Sequence, residues 1–196
     1  MTTDFAITFD YLCPFARNAN ESVVEALIAG RDWDVEFRPF SLSQTKVDAD
    51  ETDVWERPPG AEGTRGVLAL QWGIAVRDIW SDRFLDFHTA LFDARHGRGD
   101  DIGDPEVLTR VAESVGLDAG AVAAEVDSGR PLQILASEHA SLVDGWEVFG
   151  VPTFIVGDEA VFVRCMDRHR PDEIGRIVEL VRWTSLNEFK RTRVPR

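Results

Sequence analysis

The feature that most constrains this chain is where its helical periodicity lies. From about residue 64 to 148 no stretch alternates as a strand would, and apolar residues recur at helical spacing. Phe84, Phe87, His88, Leu91 and Phe92 share one face, and Val107, Leu108, Val111 and Val115 share another. Asp104-Pro105, Asp118 and Pro131 read as helix starts inside this block, and Gly116 as a stop. Strand character appears only on either side, so the helical block reads as an insertion between two pieces of one sheet.

Before the block, residues 4 to 10 alternate as a half-buried strand would, and Tyr11-Leu12 leads into Cys13-Pro14. Proline suits the first helical position because its missing N–H would be unpaired there. Ala19, Val23, Ala26 and Leu27 then keep helical spacing up to Gly30. Trp33 to Phe40 alternates again through Val35 and Phe37. Residues 43 to 63 are polar, acidic and broken by Pro58-Pro59-Gly60, as an exposed connection would be. After the block, Pro152 to Val156 and Ala160 to Val163 flank a Gly157-Asp158 turn and predict an antiparallel hairpin. A closing amphipathic helix is expected after Arg170-Pro171, carrying Ile174, Ile177, Val178, Val181 and Leu186, with a solvated basic tail at 190–193.

These elements fit one domain over residues 1–196, with core pieces at about 4–42 and 149–189. A chain of 196 residues with 44% hydrophobic content can build its own core. A net charge of -14 argues against nucleic acid or an anionic membrane as main partner. Only two cysteines, no opening charged-then-apolar segment and no long uncharged apolar run lead us to expect a cytoplasmic protein without a disulfide framework.

Cys13 is the residue with the clearest chemical potential. A thiol reacts as the thiolate and titrates near ~8.5 when free. The N–H groups opening a helix favour the anion, so this position is expected to activate the sulfur; it would equally suit a small buried filler. Cys165, at the end of a strand behind Val161 and Val163, reads as a filler. His88 and His139 read as satisfied core or boundary histidines, and His96, beside Gly97 and Gly99, as a loop residue. Trp55, Trp72 and Trp80 read as core rather than groove. No metal-ligand spacing and no phosphate-binding glycine loop is present, so neither a metal nor a bound nucleotide is expected.

Cys13-Pro14-Phe15 after the first strand, the helical insertion, and Gly150-Val151-Pro152-Thr153-Phe154 before a hairpin together resemble the DsbA-like branch of the thioredoxin superfamily. The resemblance runs from Phe5 to about Leu186. It implies an α/β, thioredoxin-like fold with the helical insertion between a βαβ half and a C-terminal ββα half. It also implies Cys13 as nucleophile, Pro14 and Phe15 shaping its surroundings, and a cis Pro152 that presents substrate or cofactor with Val151. From the residues alone the isomer of Pro152 is open.

One departure limits the function. The family pair is Cys-x-x-Cys, whereas this chain reads Cys13-Pro14-Phe15-Ala16, so an internal disulfide cannot form in the motif. Three functions remain. A monothiol oxidoreductase would be resolved by an external thiol such as glutathione or mycothiol. A transferase or isomerase similar to the kappa-type glutathione transferases and 2-hydroxychromene-2-carboxylate isomerases would hold a cofactor thiol, with Asp167-Arg168 resembling an Asp-Arg pair of those proteins. A non-catalytic module would bind an extended peptide beside Val151-Pro152. Expected partners are therefore a small thiol, a disulfide or a peptide, with no tightly bound cofactor; a homodimer is left open.

Overall fold

The computed structural model describes the chain except for Met1, Ala49, Phe189, Arg191 and residues 194–196, so Arg191 of the basic tail lies outside the described residues. Strand β1 (Thr3–Phe9) leads through a tight turn into helix α1 (Pro14–Ile28) and strand β2 (Trp33–Pro39). A short 3-10 turn at Gln44–Lys46 precedes the helices α2 (Thr64–Ile79), α3 (Ser81–Asp93), α4 (Pro105–Ser114), α5 (Ala119–Asp127) and α6 (Arg130–Trp146). Strands β3 (Thr153–Val156) and β4 (Glu159–Phe162) and helix α7 (Pro171–Val181) close the chain. The strand order is β2-β1-β3-β4, with β1 parallel to β2 and the other pairs antiparallel.

The helix starts follow from capping chemistry. Asp104 and Asp118 each accept an amide of the first turn of α4 and α5, at 2.9 and 3.1 Å, relieving donors that have no partner inside the helix. Cys13 does the same for α1 with its sulfur, and Pro14 follows at N1.

Two expectations change and a third is refined. Strand β1 is not half-buried: Phe5 to Phe9 are all buried, because β1 is a central strand of the sheet with helix α1 packed on it. The apparently polar position, Thr8, is 0% exposed and its hydroxyl accepts the Thr153 amide at 2.8 Å. The connection at 43–63 is largely exposed among its described residues, as expected, but it is tethered at one point. Val54 is buried, and its amide is held by the Gln44 side chain at 2.9 Å. Finally, α7 stops at Val181, so Leu186 lies outside it in a turn whose amide bonds the Trp183 carbonyl. The sequence Thr184-Ser185 after Trp183 has little helix propensity to carry the apolar spacing further.

Candidate functional site around Cys13

The turn from Asp10 to Cys13 is where strand β1 ends and helix α1 begins, and it is fixed residue by residue. The Asp10 carboxylate, 0% exposed, accepts the amides of Leu12 and Leu42, each at 2.8 Å, so it ties the turn to the chain leaving β2. Burial outweighs those two bonds and pushes its pKa up to about 6. The Tyr11 side chain points into the insertion. Its hydroxyl bonds His88 Nδ1 at 2.9 Å, and His88 Nε2 meets Asn20 Oδ1 at 3.1 Å. Asn20 donates its amide group to the carbonyls of Ala16 and Thr8. Its oxygen therefore accepts from Nε2–H, and Nδ1 accepts the tyrosine proton. Burial keeps this imidazole neutral, its pKa pushed down to about 3, as expected of a satisfied core histidine.

Close contact makes this arrangement possible. A Cβ on Gly73 of α2 would stand 2.6 Å from the Tyr11 hydroxyl, and one on Gly66 would stand 2.7 Å from a Leu12 methyl. His96 also takes part. It lies not in a loop but in a single π-helical turn, Ala94–Arg98, that prolongs α3, and its Nε2 donates to the Tyr11 carbonyl at 2.9 Å. Gly99, at φ 76°, ends that turn. His139 stacks on Phe40 and its Nδ1 accepts the Ser41 amide at 3.3 Å, so it supports the β2 exit rather than a reaction. Trp72 is buried and belongs to the core, as expected.

Across the turn stands the loop before β3. The Val151–Pro152 peptide is cis, and the loop is anchored where the Thr153 hydroxyl donates to the Gly150 carbonyl at 2.8 Å. The Cys13 sulfur sits between helix and loop. It accepts the Ala16 amide at 3.4 Å and donates its proton to the Val151 carbonyl at 3.4 Å. Cys13, Pro14, Phe15, Val151 and Pro152 are thus brought to one place.

The amides of the helix N-terminus do favour the thiolate, as expected, but in this state burial outweighs them. Cys13 is 7% exposed, and burial pushes its thiol pKa up. The Ala16 and Phe15 amides and the Arg164 cation work in the other direction and do not overcome it, while the Asp10 charge adds to the rise. Proton donation to Val151 fits a neutral thiol. Cys165 is half-buried just beyond β4, and burial lifts its pKa to about 12, as suits a filler.

Asp167 and Arg168 do not form a free pair. Arg168 Nε donates to Glu21 at 2.6 Å, and the same buried Glu21 holds Arg17 at 2.8 Å. Arg17 continues to Asp93, and Asp93 to Arg98, so the arginine belongs to a row of alternating charges that stitches α1 to α3 and to the β4 exit. Asp167 is exposed and faces Arg170 at 3.8 Å. A cleft of about 440 Å³ beside β2, lined by Leu27, Trp33, Phe37 and Phe84, contains neither cysteine. Among the described residues no helix is long and apolar enough to cross a membrane.

Asp10, Tyr11, His96 and Arg164 were not singled out as site residues by their sequence. Asp10 carried one usable signal, an acid closing an apolar strand three residues before a helix-capping cysteine. Tyr11 lies in the turn but shows its role only through His88, and His96 and Arg164 reach it only through contacts distant in sequence, which leave no local pattern.

Known proteins agree with this architecture. The chain is 29% identical to the uncharacterized protein YwbO of Bacillus subtilis, over 82% of this chain and 90% of that protein. The crystal structure of Pseudomonas aeruginosa DsbA superposes with a TM-score of 0.61 at 19% identity, covering 93% of this chain and 84% of that one. A 2-hydroxychromene-2-carboxylate isomerase superposes with a TM-score of 0.65 at 17% identity, covering 94% and 100%. At such identities the two structures speak for the fold. The family model of the DSBA-like thioredoxin domain matches residues 6–174, from the second half of β1 to the start of α7, and the chain belongs to that family.

Proposed function

We propose that the protein is a monothiol disulfide oxidoreductase with Cys13 as its nucleophile. The observation that carries this reading is the sulfur at the N-cap of α1, 3.4 Å from the Val151 carbonyl in the cis-proline loop. An extended disulfide laid along that loop would displace the thiol's bond to Val151 and meet the sulfur directly. After its proton passes to solvent, the Cys13 sulfur attacks one sulfur of RSSR. The S–S bond breaks, RS⁻ leaves, and a Cys13–S–S–R mixed disulfide forms. A low-molecular-weight thiolate, such as that of glutathione or mycothiol, then attacks the R sulfur and expels Cys13 as thiolate.

A raised thiol pKa shapes this cycle. It lowers the thiolate fraction at neutral pH, which slows formation of the mixed disulfide, and makes Cys13 a reluctant leaving group, which slows its resolution. With a glutathione-coupled assay on hydroxyethyl disulfide, Cys13→Ser should abolish exchange and Cys165→Ser should leave it unchanged. With the disulfide supplied and glutathione withheld, an intact-mass adduct should appear on Cys13 and be released when glutathione is added. Exchange that survives Cys13→Ser would overturn the reading.

The burial of Cys13 also favours one second reading, a transferase or isomerase in which a bound cofactor thiol supplies the sulfur. Thiol-dependent conversion of a small electrophile by the Cys13→Ser variant would select it. The ion pair between Arg168 and Glu21 weighs against Arg168 as part of its cofactor cradle.

A further inference from the structure

Arg164 lies two residues beyond β4, and its guanidinium covers the Phe15 ring with Cζ 4.9 Å from the centroid. Phe15 is in the first turn of α1, two residues after Cys13, so this contact holds a cation on the turn that carries the thiol, near enough for its charge to act on the sulfur. Among the described residues Arg164 makes no ion pair, although it is exposed and the chain has 35 acids against 21 basic residues. The neighbouring arginines differ. Arg17 and Arg168 are each committed to Glu21, and Arg98 to Asp93. No acid occupies the first turn of α1, and Asp10 is buried behind the turn with both oxygens engaged by amides. A guanidinium stacked on a ring keeps its in-plane N–H groups free, and their fork matches a carboxylate.

We propose that Arg164 is a specificity-determining residue at Cys13, selecting thiols and disulfides that carry a carboxylate near the reacting sulfur. The inference rests on Cys13 as the reacting group and adds the charge class of its substrate. It favours a carboxylated thiol such as glutathione over an uncharged sugar thiol such as mycothiol. Coulomb attraction over this range is screened by salt, so the preference should fade at high ionic strength.

The test compares iodoacetate with iodoacetamide as alkylators of Cys13 in the Cys165→Ser background. In both reactions sulfur bonds to the methylene carbon and iodide leaves, so their rate ratio cancels the thiolate fraction and leaves the effect of reagent charge. Relative to the urea-unfolded protein, the folded protein should shift the ratio toward iodoacetate. Arg164→Gln should lower it about 3- to 10-fold and Arg164→Glu further, Arg164→Lys should keep most of it, and 1 M salt should remove it. Losing the Arg164 charge should also slow iodoacetamide somewhat, because that charge favours the thiolate, but iodoacetate should slow more, and the melting temperature should stay unchanged. A ratio indifferent to Arg164→Glu would overturn the proposal, and an equal fall with both reagents would do so by showing that Arg164 acts only on the acidity of the thiol.

A binding measurement separates this failure from failure of the exchange reading. The Cys13→Ser protein should bind glutathione disulfide more tightly than the cationic cystamine, and lose that preference with Arg164→Gln. If Cys13 proves inert but this preference holds, disulfide exchange falls and the charge selectivity stands. If Cys13 exchanges disulfides yet neither preference appears, the selectivity falls alone.

Discussion

On the insertion side of Cys13, Asp10, Tyr11 and Leu12 all meet buried partners: backbone amides, His88, and the close-packed Gly66. On the other side Pro14, Phe149, Arg164 and Met166 face water, Phe149 being 70% exposed and resting on Phe162. The first side has no freedom to adapt, and the second has little structure to lose. The insertion fixes where the sulfur stands, while the β4 side is free to vary in what it presents to a substrate.

That contrast can be broken from its dry side. His88→Leu orphans both the Tyr11 hydroxyl and the Asn20 oxygen, and should cost about 2–5 kcal/mol in urea unfolding. A loss below about 1 kcal/mol would mean that the chain of bonds is not structurally required. Acid should reveal the same groups. His88 and His139, with pKa values pushed down to about 3 and about 4, each remove about 1.4 kcal/mol per pH unit as pH falls below ~6.5. Asp10, raised to about 6, acts oppositely, because between about pH 6 and ~3.9 the folded state holds its proton more tightly than the unfolded one. The net loss from pH 6 to 4 should be about 1.4 kcal/mol per unit, and His88→Leu should flatten it. Stability that rises on acidification would contradict these assignments.

Gly73→Ala pushes a methyl onto the Tyr11 hydroxyl and should cost about 1–3 kcal/mol, measurable as a lower urea midpoint. Phe149→Ser, on the wet side, should change stability by no more than about 0.5 kcal/mol. Were Phe149→Ser as damaging as Gly73→Ala, the two sides would not differ as described.

The sequence announces what depends on near neighbours. Asp104, Asp118 and Cys13-Pro14 mark helix starts because a cap and its amides lie within a few residues. The Gly157-Asp158 turn marks the hairpin for the same reason. Thr8 misleads because its polarity suggests a wet face, whereas a hydroxyl can be satisfied inside by an amide as distant as Thr153. Leu186 misleads because apolar spacing continues after the helix has lost its propensity. At the site, Cys13 and Val151-Pro152 are legible through resemblance. The acidity of the thiol is not, since it depends on how much protein closes over the sulfur. Arg164 is hidden because its contact with Phe15 joins opposite ends of the chain.

The Asp10–Cys13 turn has one more consequence, in the order of synthesis. Cys13 is made long before its lid, Val151, and His88 and His96 come in between. Throughout that interval the nascent chain carries an uncovered thiol of ordinary acidity. The finished protein shields the sulfur and makes it less acidic. Thiol labelling therefore reports on completion of the fold: a chain that stalls, or a mutant that opens the turn, gives itself away by reacting faster at Cys13 than the native molecule does.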